Sequence, residues 1–224
     1  MRAIYRLAHT VVGAFIRMRY RVDVRGLDNL PADRGVILAC NHQSNFDPVL
    51  VATSLSREIH FLAKKELFSF RPFGWWLELL NTIPIERRRV DMAAMKRVRK
   101  TLAGGHDLIF FPEGTRSRNG SLGPFRKGIA MVSLLSGSPV LPVLIHGTRQ
   151  RGGFLLGRPP VLLRFGQVIE TAELKALLPA TGDRTAGYVR IAERIREPIA
   201  AMALEAGMPV GSGTPDEEPR TSPA

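Results

Sequence analysis

From about residue 35 to residue 166, short apolar runs alternate with segments of helical period, and this alternation constrains the fold more than any other feature. The runs are "GVILACN" (35–41), "IHFLAK" (59–64), "DLIFF" (107–111), "PVLPVLI" (139–145) and "PVLLRFG" (160–166). Each is short, and "GVILACN" is rich in β-branched residues, which predicts strands. Residues 48–56, 65–80, 90–105 and 128–137 read as helices, as does the stretch from about 184 to 206. Val90, Ala94, Met95, Val98 and Leu102 recur at helical spacing and stop at Gly104 and Gly105. Pro72 predicts a break within 65–80, and Pro84 places "TIPIE" (82–86) at a sheet edge or strand end. The expected architecture is α/β, a layered, mostly parallel central sheet flanked by helices.

An amphipathic N-terminal helix is expected ahead of this region. Ile4, Ala8, Val11, Phe15 and Met18 follow one stripe of residues 2–19, and Arg2, Arg6, Gly13 and Arg17 follow another. Six arginines against one acid in residues 1–25 suit a helix lying on an anionic bilayer. The same apolar side also suits packing on the core with the arginines left in water. The run "LAHTVVGAFI" (7–16) is too short to cross a bilayer and lacks a small-residue cleavage site, so no secretory signal is expected.

The basic surplus extends over the whole body. Formal charge is +12, and the last fourteen residues hold three acids and one base, so residues 1–210 carry a net +14. That surplus predicts an anionic partner: a lipid headgroup, a phosphorylated substrate or nucleic acid. Nucleic acid is disfavoured, since no helix-turn-helix, zinc finger or aromatic RNA-binding motif accompanies the charge. The lone cysteine, Cys40, has no partner for an intramolecular disulfide and fits a reducing compartment such as the cytosol.

Within "ACNHQSNFDPVLVA" (39–52), His42 and Asp47 stand five apart. On one continuous helix they would point roughly 140° apart, so a turn must bring them together. A strand ending near Asn41 and a helix opening at Asp47-Pro48 leave "QSNF" as that turn, with Asp47 expected as the N-cap and Pro48 at the first helical position. A carboxylate on one imidazole nitrogen fixes the tautomer and frees the other nitrogen as a general base. There is no G-x-S-x-G elbow, and a buried cysteine at a strand end is ordinarily packing, so Cys40 is disfavoured as a nucleophile. The base is then expected to act on a hydroxyl of a bound substrate. His9, His60, His106 and His146 show no ligand spacing with His42, so no metal is expected.

"FFPEGTRSRNG" (110–120) also follows a strand, so a parallel sheet would put both loops at its carboxyl edge. Gly114 allows close backbone approach, Thr115 adds a hydroxyl, and Arg116 adds a fork for a phosphate or carboxylate. Together, "NHQSNFDP" and "FPEGTRS" resemble the first and third signature blocks of the glycerolipid acyltransferases, the 1-acylglycerol-3-phosphate O-acyltransferase (lysophosphatidic acid acyltransferase) family. "NTIPIER" (81–87) resembles the second block, with Asn81 where that block usually begins with glycine, and "VLPVLIHG" (140–147) the fourth, with its proline at Pro142. "FLAKKELF" (61–68), "PFGWW" (72–76) and "FRKG" (125–128) are similar to the connecting segments, so the resemblance covers roughly residues 25–170.

The resemblance implies that His42 is the general base, oriented by Asp47, and that the acyl thioester is attacked directly without an acyl-enzyme. It implies an acceptor-binding loop of Glu113, Gly114 and Thr115, a phosphate grip by Arg87 and Arg116, and Lys64 as a further phosphate contact. The implied reaction moves a fatty acyl group from acyl-coenzyme A or acyl carrier protein to the free hydroxyl of 1-acylglycerol-3-phosphate, giving phosphatidic acid with no cofactor. Glycerol-3-phosphate, lyso-ornithine lipid or another lysophospholipid are alternative acceptors. A catalytically dead lipid binder is disfavoured, because His42 and Asp47 are both present. The expected organisation is a membrane-associating helix over 1–24, an acyltransferase domain over 25–208 and a disordered tail over 209–224. The expected partners are the lysophospholipid, the donor and a membrane surface, at the cytoplasmic face, with peripheral or monotopic attachment.

Overall fold

Alternate residues of the central strands serve two different helix layers. In the strand Ile37–Cys40 (β2), Ile37 and Ala39 join one buried cluster, while Leu38 and Cys40 join another. All four are wholly buried, as a strand covered on both faces requires. The structure, a computed structural model, describes residues 3–79, 81–86, 91–150 and 157–211. On the first face lie Met92–Ala103 (α4), Gly128–Ser136 (α5) and Thr185–Glu205 (α7), whose Val98, Ile129 and Ile195 meet the sheet. On the second lie Ala3–Arg19 (α1) and Asp47–Thr53 (α2), contributing Ile16, Leu50 and Val51. Each fully buried aliphatic side chain of this kind contributes about 1.5–3 kcal/mol.

The other strands are Arg21–Arg25 (β1), Ile59–Lys64 (β3), Thr82–Ile85 (β4), Asp107–Phe110 (β5), Val140–His146 (β6) and Pro160–Phe165 (β7). Their order is β1-β7-β6-β2-β5-β3-β4, and every pairing is parallel except β6 with β7. The mostly parallel α/β sheet is therefore as the alternation predicts, and β4 with Pro84 does form an edge. Two further α-helices, Arg71–Leu79 (α3) and Thr171–Ala176 (α6), and two short 3-10 helices, Leu27–Asn29 and Lys65–Phe68, complete the described elements.

Three local expectations need correction, and one needs a small shift in position. The N-terminal helix stops at Arg19, and Arg21–Arg25 is an edge strand pairing with β7, so a helical segment reaching residue 24 is not what forms. Its sequence, "RVDVR", has only two apolar residues and hides the strand among the arginines. The break expected at Pro72 falls just before it, at Ser69 and Phe70 between the 3-10 helix Lys65–Phe68 and α3, and Pro72 itself sits in the first turn of α3, where its missing N–H costs nothing. Asp47 is the first residue inside α2 and Phe46 takes the N-cap position, where no side-chain cap bond is made. At the other end, Leu122 accepts from the Gly211 amide and donates to the Pro209 carbonyl, so the packed body runs on to Gly211. The rest of the expected disordered tail, 212–224, lies outside the described residues.

Helix α1 divides its faces differently from the expected stripes. Tyr5, Gly13 and Ile16 face inward, and Gly13 allows close approach to Thr53 of α2. Leu7, Val11, Phe15 and Met18 are each half-exposed or more. One helix thus has a core face and, separately, an apolar face in solvent.

Candidate active site

The parallel strands β2, β3, β4, β5 and β6 all end at one edge, and the loops that follow carry the polar residues singled out above. Asn41 fixes the end of β2. Its side-chain amide donates to the Ile145 carbonyl at 2.8 Å and its oxygen accepts the Ile145 N–H at 2.7 Å. The chain then turns, and His42 Nδ1 comes to 2.9 Å from Asp47 Oδ2. The same Oδ2 accepts the backbone N–H groups of Gln43 at 2.6 Å and Ser44 at 2.7 Å, while Oδ1 accepts the Thr148 hydroxyl at 2.7 Å.

These contacts decide the histidine tautomer. A fully buried carboxylate already accepting three hydrogen bonds meets His42 Nδ1 as a donor, so the lone pair lies on Nε2. Phe111 stacks on one face of the imidazole, with ring centroids 4.2 Å apart and planes at 26°. The His42 side chain is 19% exposed against 0% for Asp47, so the free nitrogen belongs to the one member of the pair that solvent can reach. Cys40 lies nearby but is sealed in the core, and burial pushes its thiol well up, so it is no nucleophile.

Glu113 is not placed as an acceptor-binding residue would be. Its side chain is turned inward, with Oε1 accepting the His42 N–H at 2.9 Å and Oε2 accepting the Gly123 N–H at 3.3 Å. Burial pushes its carboxyl up from the usual 4.5 to about 7, against the pull of those two amides. Glu113 therefore ties the loop after β5 to the backbone of the base. Gly114 takes φ +75°, and a Cβ there would lie 2.8 Å from Arg126 Nε. Arg126 occupies that space and donates from Nε to the Glu113 carbonyl at 3.0 Å.

Two hollows flank this centre. A trough of about 900 Å³ is walled by apolar residues such as Leu62, Ile85, Met95, Phe111 and Met131, with Lys64 and Arg126 as its cations. A basin of about 570 Å³ on the other side is lined by Gln43, Ser44, Thr115 and Thr148 with four arginines, Arg19, Arg116, Arg118 and Arg149. Thr115 borders both. Lys64 and Arg116, expected to share one phosphate, line different hollows, because Lys64 ends β3 near one end of the sheet and Arg116 lies beside the β2 and β6 loops. Arg87 lies outside the described residues.

Thr148, Phe111, Arg126 and Arg149 complete the site without having been singled out in the sequence. Their cues were positional: each lies in or just after a block already recognised, in "FFPEG", "FRKG" and "HGTRQ". Among the described residues no group of three or more His, Cys, Asp or Glu is placed to hold a metal ion.

A family model described as Acyltransferase matches residues 21–146. The chain belongs to the acyltransferase family. The match begins at β1, which assigns that strand to the family domain. A 1-acyl-sn-glycerol-3-phosphate acyltransferase of Bacillus subtilis is 27% identical over 194 residues, 86% of this chain and 96% of that protein. A chloroplastic 1-acyl-sn-glycerol-3-phosphate acyltransferase of Brassica napus is 36% identical over 132 residues, 58% of this chain but 38% of that protein. The acyltransferase-family chain thus spans little more than a third of the length of that plant relative. Among solved structures, the 1-acyl-sn-glycerophosphate (LPA) acyltransferase PlsC of Thermotoga maritima superposes with a TM-score of 0.62 at 26% identity, covering 88% of this chain and 83% of that one.

Proposed function

We propose that the protein transfers a fatty acyl group from an acyl thioester, acyl-coenzyme A or acyl carrier protein, to the free hydroxyl of 1-acylglycerol-3-phosphate, forming phosphatidic acid. The observation that carries this reading is the His42–Asp47 pair, with its base nitrogen fixed and its carboxylate saturated by four donors. His42 Nε2 takes the proton of the acceptor hydroxyl as its oxygen attacks the thioester carbonyl carbon. The tetrahedral intermediate collapses with cleavage of the C–S bond, and the departing thiolate takes the proton back from His42. Asp47 stabilises the imidazolium formed in between, and no protein nucleophile is needed. A glycerol hydroxyl is a weak nucleophile, and a positioned base supplies about 10²–10⁴-fold.

The acceptor's acyl chain lies along the apolar trough, and its phosphate meets Lys64 and Arg126 there. Such a lipid has to be met at a bilayer. We place the protein on the cytoplasmic membrane face through Leu7, Val11, Phe15 and Met18 of α1, aided by the exposed Leu67, Phe70 and Trp75 that precede and form part of α3. No described helix is long and apolar enough to cross a membrane.

The test mixes purified protein with detergent-dispersed lysophosphatidate and a long-chain acyl-coenzyme A, and follows thiol release and phosphatidate by mass spectrometry. Product from the wild type and none from folded His42→Ala is expected; normal turnover by His42→Ala would sink the mechanism. Product only when another lysolipid or glycerol-3-phosphate replaces lysophosphatidate would reassign the acceptor.

A further inference from the structure

The backbone around the base is held by residues far beyond the stretch 21–146 that matches the family model. Arg196, in the middle of α7, is the centre of that hold. Its Nε donates to the Gly123 carbonyl at 3.0 Å, its Nη2 to the Gly211 carbonyl at 2.7 Å and its Nη1 to Glu193 Oε1 at 2.8 Å. Pairing with Glu193 alone would leave both side chains in water, as such pairs on a helix surface ordinarily are. Instead Glu193 is 53% exposed and Arg196 only 12%, because the guanidinium is turned inward onto two backbone carbonyls.

Gly123 carries the hold to the base. Its carbonyl takes Arg196 and its N–H donates to Glu113 Oε2 at 3.3 Å, while Glu113 Oε1 accepts the His42 N–H at 2.9 Å. A second route ends one residue further on. Leu122 donates to the Pro209 carbonyl and accepts from the Gly211 amide, each at 2.9 Å, so the segment after α7 lies along it. In that segment buried Met208 has its Sδ 3.6 Å from Gln43 Nε2, which also donates to the Gly120 carbonyl at 3.1 Å. Gln43 follows His42, and its backbone amide is one of the donors to Asp47.

We infer that Arg196 is a positioning residue for the reaction: it clamps residues 120–123 to the segment Met208–Gly211 and thereby sets the place of the His42 backbone. The inference rests on the role of His42 as base proposed above. A guanidinium suits the task, because its planar fork donates in several fixed directions and one side chain can span two chain segments. Its charge also faces the carboxylate in the chain of contacts: burial pushes Glu113 up to about 7, and Arg196 is among the groups that pull it back. Neither Arg196 nor any residue of 208–211 lines the trough or the basin, so the clamp should act on turnover and not on substrate binding. A displacement of about 1 Å at a base costs about 10²-fold even when its origin is remote.

The experiment compares the full chain with Arg196→Met and Arg196→Lys, and with Ile191→Val, which weakens the same helix in the core without touching the clamp. Each is followed by acylation of lysophosphatidate and by hydrogen exchange at the His42 and Gln43 amides. Arg196→Met is expected to melt cooperatively in urea and to lose about tenfold or more in kcat, with half-saturation for both substrates within about twofold. Its His42 amide should exchange about tenfold or more faster. Arg196→Lys should fall in between, since an ammonium keeps the charge without the fork, and Ile191→Val should turn over as the wild type does. Wild-type kcat in folded Arg196→Met overturns the proposal, as does a change confined to half-saturation or an equal loss in Ile191→Val. If Arg196→Met does not fold, Arg196→Lys decides, and wild-type turnover with wild-type exchange there overturns it. Faster exchange in the variant of a protein that forms no lipid product upholds the clamp and refutes the acyltransferase reading; unchanged exchange refutes the clamp whatever the activity.

Discussion

The turn at 42–47 and the loop at 115–118 lie on the same edge of one sheet, and they are held in opposite ways. In the turn, polar groups are spent inward: Asp47 takes four donors, and Glu113 takes the His42 amide. In the loop, Thr115, Arg116 and Arg118 are exposed. A general base works in one orientation only, so burial and redundant hydrogen bonds suit it. Anion binding tolerates movement, because a long flexible guanidinium finds its phosphate from several starting rotamers. On the proposed reading, the edge separates residues that orient the base from residues that would recognise an anion.

That division is most sharply tested at Asp47. Asp47→Ala strands the amides of Gln43 and Ser44, His42 Nδ1 and the Thr148 hydroxyl, at about 1–3 kcal/mol for each donor left buried and unpaired. Large destabilisation in urea melts is expected. Arg118→Ala should change stability by less than about 0.5 kcal/mol. Asp47→Asn is more selective, because its amide oxygen can keep the three N–H donors while its NH2 faces Thr148 Oγ1, which can accept. The fold and the tautomer then survive but the negative charge is gone, so turnover should fall by about 10²-fold or more with little change in half-saturation. Equal melting curves for Asp47→Ala and Arg118→Ala would erase the contrast.

Glu113 sharpens the same comparison through pH. Its folded pKa, about 7, is above the usual 4.5, so between those values the folded protein holds a proton that the unfolded chain has released. Its contribution is fully present below about 4.5 and is lost as pH rises to about 7, a span worth about 3 kcal/mol. Glu113→Gln does not titrate and should remove that downward slope from a plot of stability against pH. An unaltered slope in the variant would mean that Glu113 ionises as freely in the fold as outside it.

Much of the edge was legible because its signals are local. His42 and Asp47 are five apart, and the alternating runs that place them need no distant information. Thr148 was not legible: its bond to Asp47 joins residues 101 apart, and nothing in "HGTRQ" reveals which side chain it will meet. Glu113 misleads for a related reason, since a glutamate in a polar loop reads as exposed until Gly123 and the His42 amide close around it. That Lys64 and Arg116 line different hollows was not legible, because sequence order does not tell which end of the sheet a loop will face. β1 escaped because an edge strand needs few apolar residues, and its hydrogen bonds come from β7, far along the chain.

Asn81 is the smallest and most local test. It stands where the family's second block usually begins with glycine, and it takes φ +60°, the one left-handed backbone outside glycine among the described residues. Asparagine tolerates that region better than other residues with a Cβ, so the glycine-type backbone survives the exchange. Its carbonyl accepts the Phe61 N–H at 3.3 Å, so this conformation sets where β4 meets β3. Asn81→Gly should therefore leave stability within about 0.5 kcal/mol, while Asn81→Ala should cost about 1–2 kcal/mol by forcing a methyl-bearing residue into the left-handed region. Measured side by side in urea, the two variants separate backbone from side chain: if Gly costs as much as Ala, the amide's own contacts hold the turn, and the left-handed φ is merely their consequence.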